Sequence, residues 1–280
     1  MYMKKLFFLF FMMLPFCQAV VAKQAIDVKI ISYNIRTLAR DGSNSWQYRN
    51  HATATMLHKH QPDAFGLQEA MVPHLLYIDS VCPQYARVGV GRDDGLKGGE
   101  FMAIYYNTER FDLVDSGTFW LSETPSKVSR GWDAACFRTA TWVKLKEKNS
   151  GKEFFYFNTH FDHKGRTAQT ESMKLIVQKI KAIAGKKAPV VLGGDFNVEP
   201  GDSIFMPLEK FMHSARCEAL KSDDKGTFNN FGKMTRKCIL DHLFYRGRRV
   251  ECLEYTTLDG NYGAPFISDH YPIEAIYRLK

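Results

Sequence analysis

Short apolar runs, each closing on a residue able to bind a metal, donate a hydrogen bond or move a proton, set the first limits on this chain. KIISY runs into Asn34, AFGLQ into Glu69, FFYFNT into His160, VVLGG into Asp195 with Asn197 just beyond, and KCIL into Asp241. A sixth pair, Asp269-His270, stands just ahead of the last apolar stretch. Apolar runs of about four to eight residues read as buried strands rather than as one stripe of a helix. One polar residue at a strand end is ordinary turn chemistry. Six such places, mixing carboxylates, amides and imidazoles, describe a scaffold that gathers a site at its strand ends.

Between these runs the period changes. Residues 46–60 place Ala52, Met56 and Leu57 on one face, and residues 167–184 do the same with Met173, Ile176, Ile180 and Ile183; both are expected helices. Further short helices are expected after Pro73 and over residues 204–211. Strands are expected over residues 28–34, 64–68, 87–91, 101–106, 139–146, 153–158, 189–192, 238–244, 249–255 and 273–278. Residues 119–135, with Trp120, Pro125, Gly131 and Trp132, follow no period and read as a long loop. There is no repeat, low-complexity tract or dividing linker. The chain reads as a layered α/β protein with its strands in one or two sheets.

Its ends and composition narrow the setting. Lys4 and Lys5 precede an apolar run over residues 6–16, with Ala19 and Ala22 as small residues beyond it. That is the pattern of a signal peptide over residues 1–22, ahead of a single domain over residues 23–280. The run falls short of the roughly 20 residues a bilayer span needs, so no stable membrane insertion is expected. Bulky Leu14-Pro15-Phe16 before Cys17 disfavours a lipoprotein, and an exported periplasmic or extracellular protein is expected. The 280 residues carry a formal charge of +8, too mild an excess to require a polyanionic partner. Cys82, Cys136, Cys217, Cys238 and Cys252 form no CxxC motif and read as small core residues with one bridge at most.

The site residues select a chemistry. Glu69, Asp195 and Asp269, with the amides Asn34 and Asn197, are hard oxygen ligands suited to Mg²⁺, with Mn²⁺ as the alternative. The Cys- and His-rich shell that Zn²⁺ favours is missing. Hard cations beside imidazoles suit phosphoryl hydrolysis, in which a base holds water and imidazolium meets developing charge. Asp241 is placed to orient His270. Neither GxSxG nor GxxxxGK[ST] is present, so serine acyl transfer and triphosphate cradling recede.

Asn34, Gln68-Glu69, NTHFDH at 158–163, GGDFN at 193–197, LDHLFY at 240–245 and SDH at 268–270 together resemble the endonuclease/exonuclease/phosphatase superfamily, whose fold is like that of deoxyribonuclease I. The resemblance runs from about Val28 to the C-terminus. It implies a four-layered α/β sandwich, two mostly antiparallel sheets face to face with helices outside. It implies Glu69 as principal metal ligand with Asn34 and Asp269 close to the ion. Asp195 would position or deprotonate the attacking water, Asn197 bind a phosphate oxygen, and His160 contact the phosphate. His270, supported by Asp241, would stabilise the transition state.

The substrate is less determined. GDFNVEPGD and LDHLFY look most like the CCR4-type deadenylase-related branch. No Arg stands beside Asp241, unlike the inositol polyphosphate 5-phosphatases, and 70–73 depart from the apurinic-site nucleases. A metal-dependent phosphodiesterase or nuclease is expected. A phosphomonoesterase for a sugar phosphate or lipid head group is the alternative, and an inactive binding protein of the same fold the third reading. Arg138, Arg166, His163 and Trp132 are candidate substrate contacts, whereas His242 reads as structural. The partner is a phosphate ester, nucleic acid included, and a monomer is expected.

Overall fold

The computed structural model describes Tyr2 and residues 24–280, so the expected signal segment over residues 1–22 lies, apart from Tyr2, outside the described residues. Two sheets carry the architecture. The first has seven strands in the order β10 (Lys221–Ser222), β12 (Val250–Thr257), β13 (Ile273–Leu279), β1 (Ile26–Asn34), β2 (Ala64–Gln68), β4 (Ile104–Asn107) and β3 (Tyr85–Val88). The second has six, in the order β5 (Phe111–Trp120), β6 (Thr139–Glu147), β7 (Glu153–His160), β8 (Val190–Asp195), β11 (Asp241–Arg246) and β9 (His213–Ser214). Most pairings are antiparallel, but β1 runs parallel to β2, β7 to β8 and the short β10 to β12.

Three apolar layers explain the unbroken apolar runs. Between the sheets lie Val28, Ile30, Val143, Leu145, Tyr156, Val191, Leu243 and Tyr277. Outside the seven-stranded sheet, Ile31, Tyr33, Phe65 and Leu67 meet Ala52, Met56 and Leu57 of α1 (Trp46–His60) and Leu75 and Ile78 of α2 (Val72–Val81). Outside the six-stranded sheet, Phe155, Phe157 and Leu192 meet Met173, Ile176 and Ile180 of α3 (Arg166–Ala184). Neighbouring residues Ile30 and Ile31 therefore face different cores, as strand alternation requires. Three cores between helix, sheet, sheet and helix make the four-layered α/β sandwich.

Some local expectations shift. Residues 111–120, unassigned or read as loop from sequence, form β5, whose middle is exposed because it is the edge of its sheet. The strand expected over 101–106 starts only at Ile104; Phe101 instead bridges singly to Ala70 and Gly91. The five described cysteines are all free thiols. Among the described residues, no helix is long and apolar enough to cross a membrane.

Candidate active site

Strand direction assembles the site. The parallel pair β1–β2 sets Asn34 opposite Gln68, with Glu69 next in the chain, and the parallel pair β7–β8 sets His160 opposite Asp195. Parallel strands deliver their C-terminal ends to one edge. Strand β11 is antiparallel to β8 and begins there, with Asp241 opposite Asp195. Strand β13 is antiparallel to β1, so the Asp269-His270 pair ahead of it arrives at the same edge. Asn34, Glu69, Asp269 and His270 thus come from the seven-stranded side, and His160, Asp195, Asn197 and Asp241 from the six-stranded side.

Hydrogen bonds join the two halves. Asn34 Nδ2 donates to Glu69 Oε1 at 3.0 Å and to Asp195 Oδ2 at 2.9 Å. The Thr37 backbone N–H donates to Glu69 Oε2 at 2.8 Å, and Ser268 Oγ donates to the Asn34 carbonyl at 2.7 Å. His270 Nδ1 lies 2.8 Å from Asp241 Oδ2, and its Nε2 lies 3.8 Å from Asp195 Oδ2. His160 Nε2 lies 3.0 Å from Asn197 Nδ2 and 3.5 Å from Asp195 Oδ2. Glu69 and Asn197 both take left-handed backbone, at φ +60° and +51°, a cost that the fold carries where side chains must be aimed. Gly194 serves close packing rather than a turn. It lies within β8, and a Cβ there would stand 2.0 Å from the Thr159 carbonyl oxygen. It lets β7 and β8 close up beneath His160 and Asp195.

Burial polarises these groups. Burial pushes Asp195 up to about 7, helped by the nearby Asp241 charge and opposed by His270. Burial pulls His270 down, but the Asp241 and Asp195 carboxylates outweigh it and raise it to about 10. His160 is held well below the ordinary histidine range by burial and by Arg138 and Arg92. One imidazole is therefore cationic and the other neutral at pH 7.

The donor set fits a hard divalent cation. Glu69 and Asp269 line the cleft beside Asp195, and burial raises the pKa of Asp269 as well as that of Asp195. Gathered carboxylates that resist ionisation lack compensating positive charge, which a divalent ion would supply. Donor atoms of Asp195, Asp241 and His270 also lie within 4.8 Å of one another. His270, protonated and hydrogen-bonded to Asp241, has no free lone pair for a cation, so that trio is an ion pair with Asp195 close by at 3.8 Å.

The site opens into a cleft of about 810 Å³. Arg138 and His163 line it, linked by Nη2 to Nδ1 at 3.0 Å. Arg138 is only 5% exposed, yet its Nη1 has no partner. Asn34 and Asp241 stand behind the cleft wall. Two further sequence candidates, Arg166 and Trp132, are also absent from that wall. Arg166 pairs with Asp202 at 2.6 Å on the surface, and Trp132 sits in a segment tied elsewhere. The Trp132 N–H donates to Glu123, while the neighbouring Asp133 accepts from Thr167 and Ala168 N–H at the head of α3. His242 is buried and bonds the Val198 carbonyl at 2.9 Å.

Other cleft residues escaped the sequence reading: Arg36, which pairs with Asp41 and Asp269; Arg92, which pairs with Glu100; and Phe228, whose ring packs 4.9 Å from His270. Buried Asp162 escaped too. It accepts from the N–H groups of Ala135, Cys136, Lys164 and Gly165 and from Arg138 Nε. Its only sequence signal was its place between His160 and His163.

Comparison with known proteins agrees with this fold. The model of the endonuclease/exonuclease/phosphatase family matches residues 31–270. An endonuclease/exonuclease/phosphatase of Bacteroides vulgatus is 34% identical, covering 91% of this chain and 100% of its own, with a TM-score of 0.86. The mannosyl-6-phosphatase of Bacteroides thetaiotaomicron is also 34% identical, with 89% and 99% covered and a TM-score of 0.84. The catalytic domain of human Nocturnin, at 21% identity, 92% and 97% coverage and a TM-score of 0.69, shares the fold. Family members are phosphoester hydrolases that generally use a divalent metal, and this chain belongs to the endonuclease/exonuclease/phosphatase family.

Proposed function

We propose that this protein is a divalent-metal-dependent phosphomonoesterase acting on a phosphorylated sugar. The observation that carries the reading is the cleft's balance of charge around one cluster of catalytic groups. Arg36, Arg40, Arg92, Arg138 and Lys233 face Asp41, Glu69, Glu100, Asp195 and Asp269. A nucleic-acid groove would instead show an uncompensated basic track. The likeness to the mannosyl-6-phosphatase supports the same reading. A phosphodiester is the second reading, favoured by the rings of Phe228 and Phe231 on the wall, which offer faces to a base.

In this reading Glu69, Asn34 and Asp269 would hold Mg²⁺, or Mn²⁺, and the ion would supply charge neutralisation to the phosphate oxygens. Asp195 Oδ2, facing both imidazoles, holds the attacking water and takes its proton. Asn197 and His160 meet a phosphate oxygen. The protonated His270, its ring fixed by Asp241, meets the charge that develops on phosphorus oxygens or the leaving group. Arg138 Nη1 supplies the free N–H for another substrate oxygen, with His163 beside it. The proposed setting is outside the cytoplasm, with the enzyme acting as a monomer.

The test is a panel run with Mg²⁺ and Mn²⁺, setting mannose 6-phosphate and glucose 6-phosphate against bis-p-nitrophenyl phosphate, DNA and RNA. Sugar phosphates should be turned over best, and Glu69→Ala should abolish both turnover and calorimetric metal binding without lowering the melting temperature. Preference for the diesters, or unchanged metal binding by the variant, rejects the reading.

A further inference from the structure

A second cavity adjoins the catalytic cleft. It has a volume of about 680 Å³ and is lined by Arg40, Gly42, Ser43, Ser45, Gln47 and Tyr48. Arg40 lines both cavities, so the short segment from Arg36 to Tyr48 is a wall with two faces. Arg36, Asp41 and Asn44 face the catalytic side, and the serines, Gln47 and Tyr48 face the outer side.

The outer face joins one exposed aromatic ring to neutral hydroxyl and amide groups. Tyr48 is 57% exposed and offers an aromatic face with a polar tip. Ser43 and Gln47 are exposed beside it, and Ser45, at the N-cap of α1, makes no side-chain capping bond. An aromatic platform among neutral hydroxyl and amide groups matches a sugar ring, whose C–H face is apolar and whose rim carries hydroxyls.

The wall is also held in shape from behind. Arg49, 1% exposed, donates from Nε to the Asn44 carbonyl at 2.9 Å and from Nη1 to the Ile35 and Ile267 carbonyls at 2.7 and 2.9 Å. Its Nη2 reaches the Arg36 carbonyl at 3.1 Å. A buried guanidinium spanning both ends of the segment pre-organises the outer surface, so little ordering cost attends binding.

We infer that this depression is an outer sugar subsite: the substrate is a phosphorylated sugar joined to at least one further sugar, whose ring rests on Tyr48 while Arg40 spans the junction. The inference rests on the phosphomonoesterase reading and names its substrate more closely. The phosphate end enters the catalytic cleft, and the neutral end extends past Arg40.

The experiment compares mannose 6-phosphate with a mannose disaccharide phosphorylated on one ring. The parent protein should show kcat/KM about tenfold higher for the disaccharide. Tyr48→Ala should erase that advantage through KM and leave turnover of the monosaccharide unchanged, and Tyr48→Phe should keep most of it. Equal kcat/KM for the two substrates in the parent, or an equal loss on both in Tyr48→Ala, overturns the subsite. Saturation-transfer NMR with the unphosphorylated disaccharide separates this result from failure of the catalytic reading. Signal that is present in the parent and lost in Tyr48→Ala supports the subsite even if no sugar phosphate is hydrolysed. Absence of signal in the parent overturns it.

Discussion

Replacing Asp162 by Asn tests how the Arg138 side of the cleft is built. Asp162 Oδ1 accepts from Lys164 and Gly165 N–H at 3.0 and 2.8 Å. Its Oδ2 accepts from Ala135 and Cys136 N–H at 3.1 and 3.2 Å and from Arg138 Nε at 3.4 Å. An amide has one oxygen, so the variant keeps the shorter pair and turns an N–H₂ toward three donors. At about 1 kcal/mol for each part-buried backbone donor and about 2 kcal/mol for the buried guanidinium, the loss is roughly 4 kcal/mol. For a chain of this size that lowers the melting temperature by about 10 °C. Burial alone would raise the Asp162 carboxyl, but the Gly165, Lys164 and Ala135 N–H groups and Arg138 hold it well below the ordinary carboxylate range. A depressed folded value stabilises fully above the unfolded value and is lost as pH falls through the folded one. The gap between parent and variant should therefore be widest above pH 4 and narrow below it. Freed Arg138 should also cost about 10- to 100-fold in kcat/KM, and Asp162→Asn should add little to Arg138→Ala. A melting shift under about 2 °C, or equal activity losses with and without Arg138, refutes the reasoning.

Asp195→Asn and His270→Ala should each lower kcat by about a hundredfold or more, in line with an acid–base contribution, while melting near the parent temperature. Asp241→Asn should cost less when His270 is already Ala, and additive effects in the double variant would show that the pair only ties strands together. The buried histidines should destabilise the fold in mild acid, opposed by Asp195, whose raised carboxyl takes up its proton earlier in the folded chain. Burial lowers His74 to about 3, with Arg49 adding to the effect, and burial lowers His242 to about 4. Both stay neutral in the folded chain while the unfolded chain takes up protons below about 6.5. Stability therefore falls as pH drops from 6.5 toward 4, by about 2 kcal/mol per histidine at pH 5. Urea titrations between pH 7 and 5 measure that slope, and His242→Phe should remove its own share, about 2 kcal/mol at pH 5, leaving those of His74 and the likewise depressed His160.

The strand ends were readable because they break a simple rule: a polar group closing an apolar run needs a reason, and a shared edge supplies it. Asn34, Glu69, His160, Asp195, Asp241 and the Asp269-His270 pair stood out on that ground alone. The layers were not countable from the runs, since a strand buried on both faces reads alike whether its outer cover is helix or sheet. Strand β5 was missed because its middle, DLVDSGT, faces solvent at a sheet edge, where apolar alternation is not required. Asp162 was hidden for another reason. Its partners are backbone N–H groups, which every sequence has and no sequence marks. Trp132 and Arg166 drew attention as a ring and a cation near catalytic motifs, but Glu123 holds the Trp132 backbone N–H and Asp202 pairs with Arg166, and neither residue lines the cleft. The Tyr48 depression depends on the path of a segment pinned by Arg49, a tertiary contact with no local signature.

Half of the catalytic groups ride on one sheet and half on the other, and this makes the spacing between the sheets a dimension of the active centre. Asn34 to Asp195 and His270 to Asp241 span that gap at 2.9 and 2.8 Å, lengths that tolerate only a few tenths of an ångström before the bonds weaken. What fixes the gap is the filling between the sheets, above all Tyr156, Leu145, Leu243 and Tyr277. A larger side chain there would wedge the halves apart, and a smaller one would let them settle or slide. Activity of this protein should thus respond to the calibre of residues that never touch substrate, and changes in that filling should act on every distance across the site at once.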